Sequence, residues 1–142
     1  DEANKESLID EWFHTGDAGY FDEAGFLYIY DRIRDMIISG GENIYPAEVE
    51  NALMHHPDIV DAAAVGVPDH KWGETIKGFV VLKKGSKVGE SEIIAATKNL
   101  IASYKCPSSI NFVTEMPRNP SGKILRRELR APFWTDKNRN VS

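Results

Sequence analysis

Lys123 follows Ser121 and Gly122 in a stretch rich in Pro, Asn and Gly. An ammonium group on a flexible stem is a movable point charge, suited to phosphate or carboxylate oxygens. Taken alone, it reads more readily as a solvated lysine in a turn. The tripeptide is not a P-loop: Pro117 stands where that motif needs its first glycine, and Ile124 replaces the hydroxyl residue that would hold magnesium. Asp17, taken alone, reads as a turn-capping carboxylate. The Arg32 guanidinium suits phosphate or ribose oxygens, or an ion pair with neighbouring Asp31 or Asp35. Trp72 sits in a polar loop, where a large aromatic side chain is unusual; core packing is its alternative. No metal centre is expected. His55-His56 lacks the spacing of a zinc helix, Asp17 to Gly25 lacks the alternating ligands of a calcium loop, and no nucleophile elbow surrounds Ser39.

The 142 residues suit one compact domain, or a small domain plus an appendage. With 42% hydrophobic and 27% charged residues, the chain has an ordinary globular balance. A formal net charge of -5 argues against nucleic acid, whose phosphates demand a basic face. One cysteine, Cys106, excludes an internal disulfide framework and suits a reducing cytoplasm. No apolar run reaches the roughly 20 residues of a membrane span. The polar start Asp1 to Asn4 does not read as a signal peptide, and Asn140-Val141-Ser142 is not a peroxisomal address.

The positioning elements follow from periodicity. Trp12 to Ile29 reads as strands, turned at Asp22 to Gly25. Charge at Asp31 to Asp35 breaks the pattern and marks a boundary near Arg34. A short hairpin follows: Met36 to Ser39, a Gly40-Gly41-Glu42-Asn43 turn, then Ile44-Tyr45. Pro46 opens a helix whose apolar face is Val49, Ala52, Leu53 and His56. Ile59 to Val67 and Thr75 to Leu82 read as buried strands joined by an exposed loop from Pro68 to Gly73. A second helix from Glu90 or Ser91 presents Ile93, Thr97, Leu100, Ile101 and Tyr104. Ile110 to Thr114 is a strand, and Ile124 to Arg130 a last short helix. The expected fold is α+β: a small three-stranded sheet covered by helices, preceded by a short β-hairpin and a β-rich segment.

Four ordered segments then carry a resemblance: Trp12 to Asp17, Asp31 to Glu50, Val67 to Glu74, and Pro117 to Arg126. Together they resemble the C-terminal third of the adenylate-forming superfamily, which includes acyl- and aryl-CoA synthetases, peptide-synthetase adenylation domains and firefly luciferase. Arg130 to Trp134 is similar to the ending of the fatty-acyl or long-chain acyl-CoA synthetases. The resemblance implies a two-step ligase. A carboxylic acid and ATP give acyl-AMP, then coenzyme A displaces AMP after the small domain rotates.

In that resemblance residues 1–33 close the large AMP-binding domain and residues 34–142 form the mobile small domain. The rest of the large domain is the missing partner, and Mg2+ is held there with ATP. Lys123 is the adenylation lysine. Asp17, Arg32 and Asn43 contact the nucleotide, and Arg34 is the hinge, where Asp or Lys is more usual. Asp31 replaces a frequent glycine. Gly40, Gly41, Glu42, Trp72, Tyr104 and Lys105 face coenzyme A, although Tyr104 could instead end the core face of its helix. Glu48 and Glu50 read as structural. A lysine acetyltransferase and deacetylase acting on Lys123 are further implied partners. The alternatives are a stand-alone coenzyme- or nucleotide-binding module, or an aryl-CoA ligase.

Overall fold

The structure, a computed structural model, describes residues 5 and 7–134. The end segments Asp1 to Asn4 and Asn140-Val141-Ser142 lie outside the described residues.

Two antiparallel hairpins come first. Strands β1 (Leu8–Ile9) and β2 (Trp12–Phe13) pair briefly, and β3 (Asp17–Phe21) pairs with β4 (Leu27–Arg32). Asp22 shapes the second turn, its Oδ1 accepting the N–H groups of Ala24 and Phe26 at 2.9 Å each. A 3-10 turn, Ile33–Asp35, then leads into the rest of the chain.

That rest is organised around one five-stranded sheet. Strands β5 (Ile37–Ser39) and β6 (Glu42–Ile44) form a hairpin. Strand β7 (Ile59–Asp69) pairs antiparallel along β8 (Gly73–Leu82). The other edge of β8 takes β5, with Ser39 opposite Gly73, and then β9 (Ser109–Phe112) in parallel. The short hairpin is therefore hydrogen-bonded onto the three expected strands rather than standing before them. Strands β7 and β8 also run further than the apolar pattern. Pro68 and Asp69 pair with Glu74 and Gly73, leaving a tight turn where an open loop was expected.

Two layers cover this sheet. Helices α1 (Pro46–Met54) and α2 (Glu90–Lys98) bury Val49, Leu53 and Ile93 against Ala62, Ala64, Ile76 and Val80. Ala63, Val65, Val67, Phe79 and Met116 fill the opposite face, backed by Ile124, Leu129 and Phe133. Burial on both faces explains why β7 reads as an unbroken apolar run from Ala62 to Val67 rather than an alternating one. Helix α1 stops at Met54, so His56 lies beyond it, and α2 stops at Lys98, leaving Leu100 and Tyr104 exposed. Helix α3 (Arg126–Arg130) starts after Ile124, and a 3-10 turn (Ala131–Phe133) carries the chain through Pro132. The Trp134 indole donates to the Gly66 carbonyl at 2.9 Å, which pins this end onto β7. Among the described residues, no helix is long and apolar enough to cross a membrane.

Candidate functional site

Lys123 stands exposed on a turn that its own neighbours close. Asn119 organises it: its N–H donates to the Lys123 carbonyl at 2.9 Å, and its Oδ1 accepts the Lys123 N–H at 2.9 Å and the Ser121 hydroxyl at 2.8 Å. Gly122 has φ +84°, a conformation that costs a side chain energy. Arg118 donates to the Gly122 carbonyl at 2.7 Å and pairs with Asp61 of β7 at 2.6 Å. The turn is therefore held to the sheet. The freedom of Lys123 lies in its own stem, and in any movement of the whole domain, rather than in a loose glycine loop.

The same turn forms one wall of a cavity of about 640 Å³. Arg32, Arg34, Arg118 and Arg126 line it as well, with Asp31 and Asp35 among them. Arg32 Nε lies 3.3 Å from Asp17 Oδ1, so two of the expected nucleotide contacts meet as an ion pair. The pairing of Arg32 is thus with Asp17 rather than with Asp31 or Asp35. Asn43 is exposed on β6 opposite Ile38 and lies outside this cavity's lining.

Arg126, from α3, is the most constrained cation of the cavity, with its side chain 17% exposed. It donates to both Glu50 oxygens, at 2.8 and 2.7 Å, and lies 3.1 Å from Asp31 and 3.3 Å from Asp35. Burial alone would lower its pKa, but the Glu50 hydrogen bonds, together with Asp31 and Asp35, outweigh that and raise it further. Glu50 also accepts the Ala64 N–H at 3.0 Å, consistent with a structural role. Neither Arg118 nor Arg126 was singled out from the sequence. The signal was available: five basic residues lie between Arg118 and Arg130 in an acidic chain.

A second cavity, of about 370 Å³, shares no lining residue with the first. Gly40, Glu42, Trp72 and Tyr104 line it, with Lys98 and Cys106. Trp72 is half exposed, which sets aside the core-packing alternative. Its placement is specific. Gly40 donates its N–H to the Trp72 carbonyl at 2.9 Å, and a Cβ on Gly40 would sit 2.8 Å from the indole ring. With φ +59° as well, only glycine fits there without strain. Asp69 Oδ1 accepts the N–H groups of Lys71 and Trp72 at 2.9 Å and fixes the turn that presents the ring. Tyr104 is 52% exposed and so is not the last core residue of its helix. Gly41 and Lys105 lie outside the lining. Lys105 is paired with Glu48 at 2.8 Å, and that hydrogen bond raises its pKa despite partial burial. Burial pushes the Cys106 thiol up, which leaves it a poor nucleophile. Among the described residues, no cluster of three His, Cys, Asp or Glu side chains could hold a metal ion.

The arrangement offers a cationic cavity for anionic, phosphate-bearing chemistry and, separately, an aromatic groove for a slender partly apolar ligand. Comparison with known proteins agrees on a family. Residues 48–123 match the AMP-binding enzyme C-terminal domain. A fatty acid–[acyl-carrier-protein] ligase, ScoC of Streptomyces coeruleorubidus, is 50% identical over 96% of this chain. A 2-succinylbenzoate–CoA ligase of Bacillus cytotoxicus is 49% identical over 92%. The chain spans about a quarter of those relatives, 26% and 27% of their lengths. Among solved structures, ATP-bound MatB of Rhodopseudomonas palustris superposes with a TM-score of 0.86 at 34% identity, covering 95% of this chain and 27% of that one. The apo form of the same protein reaches 0.72 at 35% identity over the same shares. The chain belongs to the AMP-binding enzyme C-terminal domain family.

Proposed function

We propose that this chain carries the small domain of an AMP-forming acid–thiol ligase, with the end of the large domain before it. The division falls at the Ile33–Asp35 turn: residues 1–33 close the large domain, residues 34–142 move, and Arg34 is the hinge. The observation that carries this reading is the cationic cavity itself, which Lys123 lines together with Arg34 of that turn and Arg32 from before it.

In the first step a carboxylate oxygen attacks the α-phosphorus of ATP and pyrophosphate leaves, giving acyl-AMP. Negative charge gathers on the α-phosphate oxygens while an anionic nucleophile approaches. The Lys123 ammonium answers both, from a turn that holds its backbone still. Asp17 takes the ribose hydroxyls, and Arg32, now paired with Asp17, reaches nucleotide oxygens. Asn43 also faces the nucleotide in this reading. In the second step the thiol of coenzyme A loses its proton and attacks the acyl carbonyl carbon, and AMP leaves. The groove of Gly40, Glu42, Trp72 and Tyr104, with Gly41 and Lys105 beside it, carries the thiol arm. Mg2+ accompanies ATP and is held by the larger domain. We take the arrangement as the adenylating one because the whole chain superposes better on the ATP-bound relative than on its apo form.

The acid is fatty or aromatic; relatives of both kinds match this chain about equally well. A cytoplasmic location belongs to the same reading, supported by the single buried Cys106. So does silencing by acetylation of Lys123, which would remove its charge.

The test uses the full-length polypeptide. Lys123→Ala should lower carboxylate-dependent exchange of pyrophosphate into ATP by about 10²- to 10³-fold. Thioester formation from preformed acyl-AMP should survive. A wild-type protein that exchanges pyrophosphate with no fatty or aromatic acid overturns the reading. Equal loss of both half-reactions would remove Lys123 from the adenylating role.

A further inference from the structure

The hairpins and the small domain meet at the Ile33–Asp35 turn, and one carboxylate reaches across it. Asp31, at the end of β4, has a side chain only 6% exposed. Its Oδ2 accepts the Ala47 N–H at 2.9 Å. Its Oδ1 accepts the following N–H, of Arg32, at 2.8 Å and lies 3.1 Å from Arg126 Nη1.

These contacts join β4 to α1 and α3 across the turn. Ala47 follows Pro46 in the first turn of α1, where backbone N–H groups lack helical partners. The position before Pro46 is Tyr45, which gives no side-chain cap. Asp31 supplies that cap from the other side of the turn, with its charge at the favourable end of the helix dipole. Arg126 is held by Glu50 and Asp35 within the small domain, so it would travel with that domain. Only its Asp31 contact would change if the chain turned about Arg34. Tyr30 stacks on Tyr45 beside the same junction, with ring centroids 5.5 Å apart and planes 9° apart. That stack is exposed on one side, since Tyr30 is 53% exposed. The buried, charge-assisted contact is the stronger of the two.

We infer that Asp31 is a positioning residue: it clasps α1 and Arg126 across the turn and so holds Lys123 in its observed orientation. Its catalytic consequence rests on the two-step ligase reading, in which this orientation is the adenylating one. The clasp favours adenylation and must open before the thiol step.

Two measurements on the full-length polypeptide test this. The first compares the half-reactions in wild type, Asp31→Gly, Asp31→Asn and Asp31→Glu. Losing a buried hydrogen bond to a charged group is worth about tenfold. Adenylation should therefore fall about tenfold in Asp31→Gly relative to thiolation from preformed acyl-AMP, with Asp31→Asn milder and Asp31→Glu partly restored. A purely structural role would depress both half-reactions together, and that result, or no change in their ratio, overturns the proposal. The second is limited trypsin digestion read by mass. Asp31→Gly should speed cleavage after Arg32 and Arg34 while leaving the Lys83-Lys84 site unchanged; unchanged cleavage at the junction removes the clasp. This readout needs no ligase activity. A wild type that adenylates nothing would thus fail the functional reading, while the clasp would still be decided by its cleavage pattern. Asp31→Asn serves both assays if Asp31→Gly does not fold.

Discussion

Residues 7–32 and residues 37–134 use apolar side chains in opposite ways. In the later region Ile37, Ile44, Val49, Leu53, Val80 and Ile93 are fully buried between sheet and helices. In the earlier region Trp12 is 76% exposed, Phe21 70% and Phe26 66%, and no described residue before Ile37 belongs to the buried core. Both regions have strands, tight turns and good backbone pairing. What differs is whether a second layer covers them, since an isolated two-stranded hairpin is marginal in water. Stability therefore lives in residues 37–134, and the hairpins present a surface that lone stability does not explain. Under the proposed function that surface is the broken edge of a larger body, joined to the domain through Asp31 and the Tyr30–Tyr45 stack.

The sharpest way to break this contrast is a matched pair of truncations. Leu53→Ala, in the fully buried layer, should cost about 3 kcal/mol, from lost transfer energy plus the cavity left behind. Phe21→Ser should change the stability of this chain by no more than about 0.5 kcal/mol, as surface substitutions do. Urea unfolding of each gives the comparison. Repeating Phe21→Ser in the full-length polypeptide sharpens it, because a covered Phe21 would then become costly. A large effect of Phe21→Ser in the short chain would contradict the division between a stable domain and a surface hairpin.

A smaller effect tests the groove rather than the core. Gly40→Val places a β-branched side chain at φ +59° and drives it into the Trp72 ring. The left-handed backbone alone costs about 1–2 kcal/mol. Under the proposed function, thiolation by the full-length polypeptide should weaken more than adenylation, because the ring that moves lines the groove and not the Lys123 cavity. Loss confined to adenylation would disconnect Trp72 from the thiol step.

Much of the fold was legible because its signals are local. Pro46 followed by a 3.6-residue apolar face marked α1, and the unbroken Ala62–Val67 run marked a strand buried on both sides. The errors have local causes too. Tyr104 continued the period of α2 on paper, but that helix stops at Lys98 and the chain resumes as a 3-10 turn. Pro68 looked like a loop residue, yet it sits inside the β7–β8 ladder. The candidate site was legible where one motif held it together, as with Lys123 and its turn. The Asp31–Arg126–Glu50 cluster was not, because it joins β4, α1 and α3 only in three dimensions. No spacing rule links positions 31, 50 and 126. Only the demand that a buried guanidinium find its carboxylates does so.

The finest comparison concerns two similar turns, one in each region. Asp22 and Asp69 each use Oδ1 to accept two backbone N–H groups, but Asp22 shapes an exposed hairpin tip while Asp69 sets the ring of a groove. The Trp72 N–H, and then the Lys71 N–H, hold the Asp69 carboxyl below the usual carboxylate range. A carboxyl whose folded value is lowered contributes stability above its unfolded pKa, about 3.9. That contribution is lost as pH falls through the lowered folded value. The Lys71 and Trp72 amide resonances should therefore stay fixed through mildly acidic pH and shift together only below the ordinary carboxylate range. In Asp69→Asn the amide oxygen still accepts both bonds but binds no proton, so the acid-side shift should vanish while the turn persists. A shift that persists in Asp69→Asn would assign the acid sensitivity to another group. The Trp72 turn would then owe its shape to the Gly40 contact rather than to Asp69.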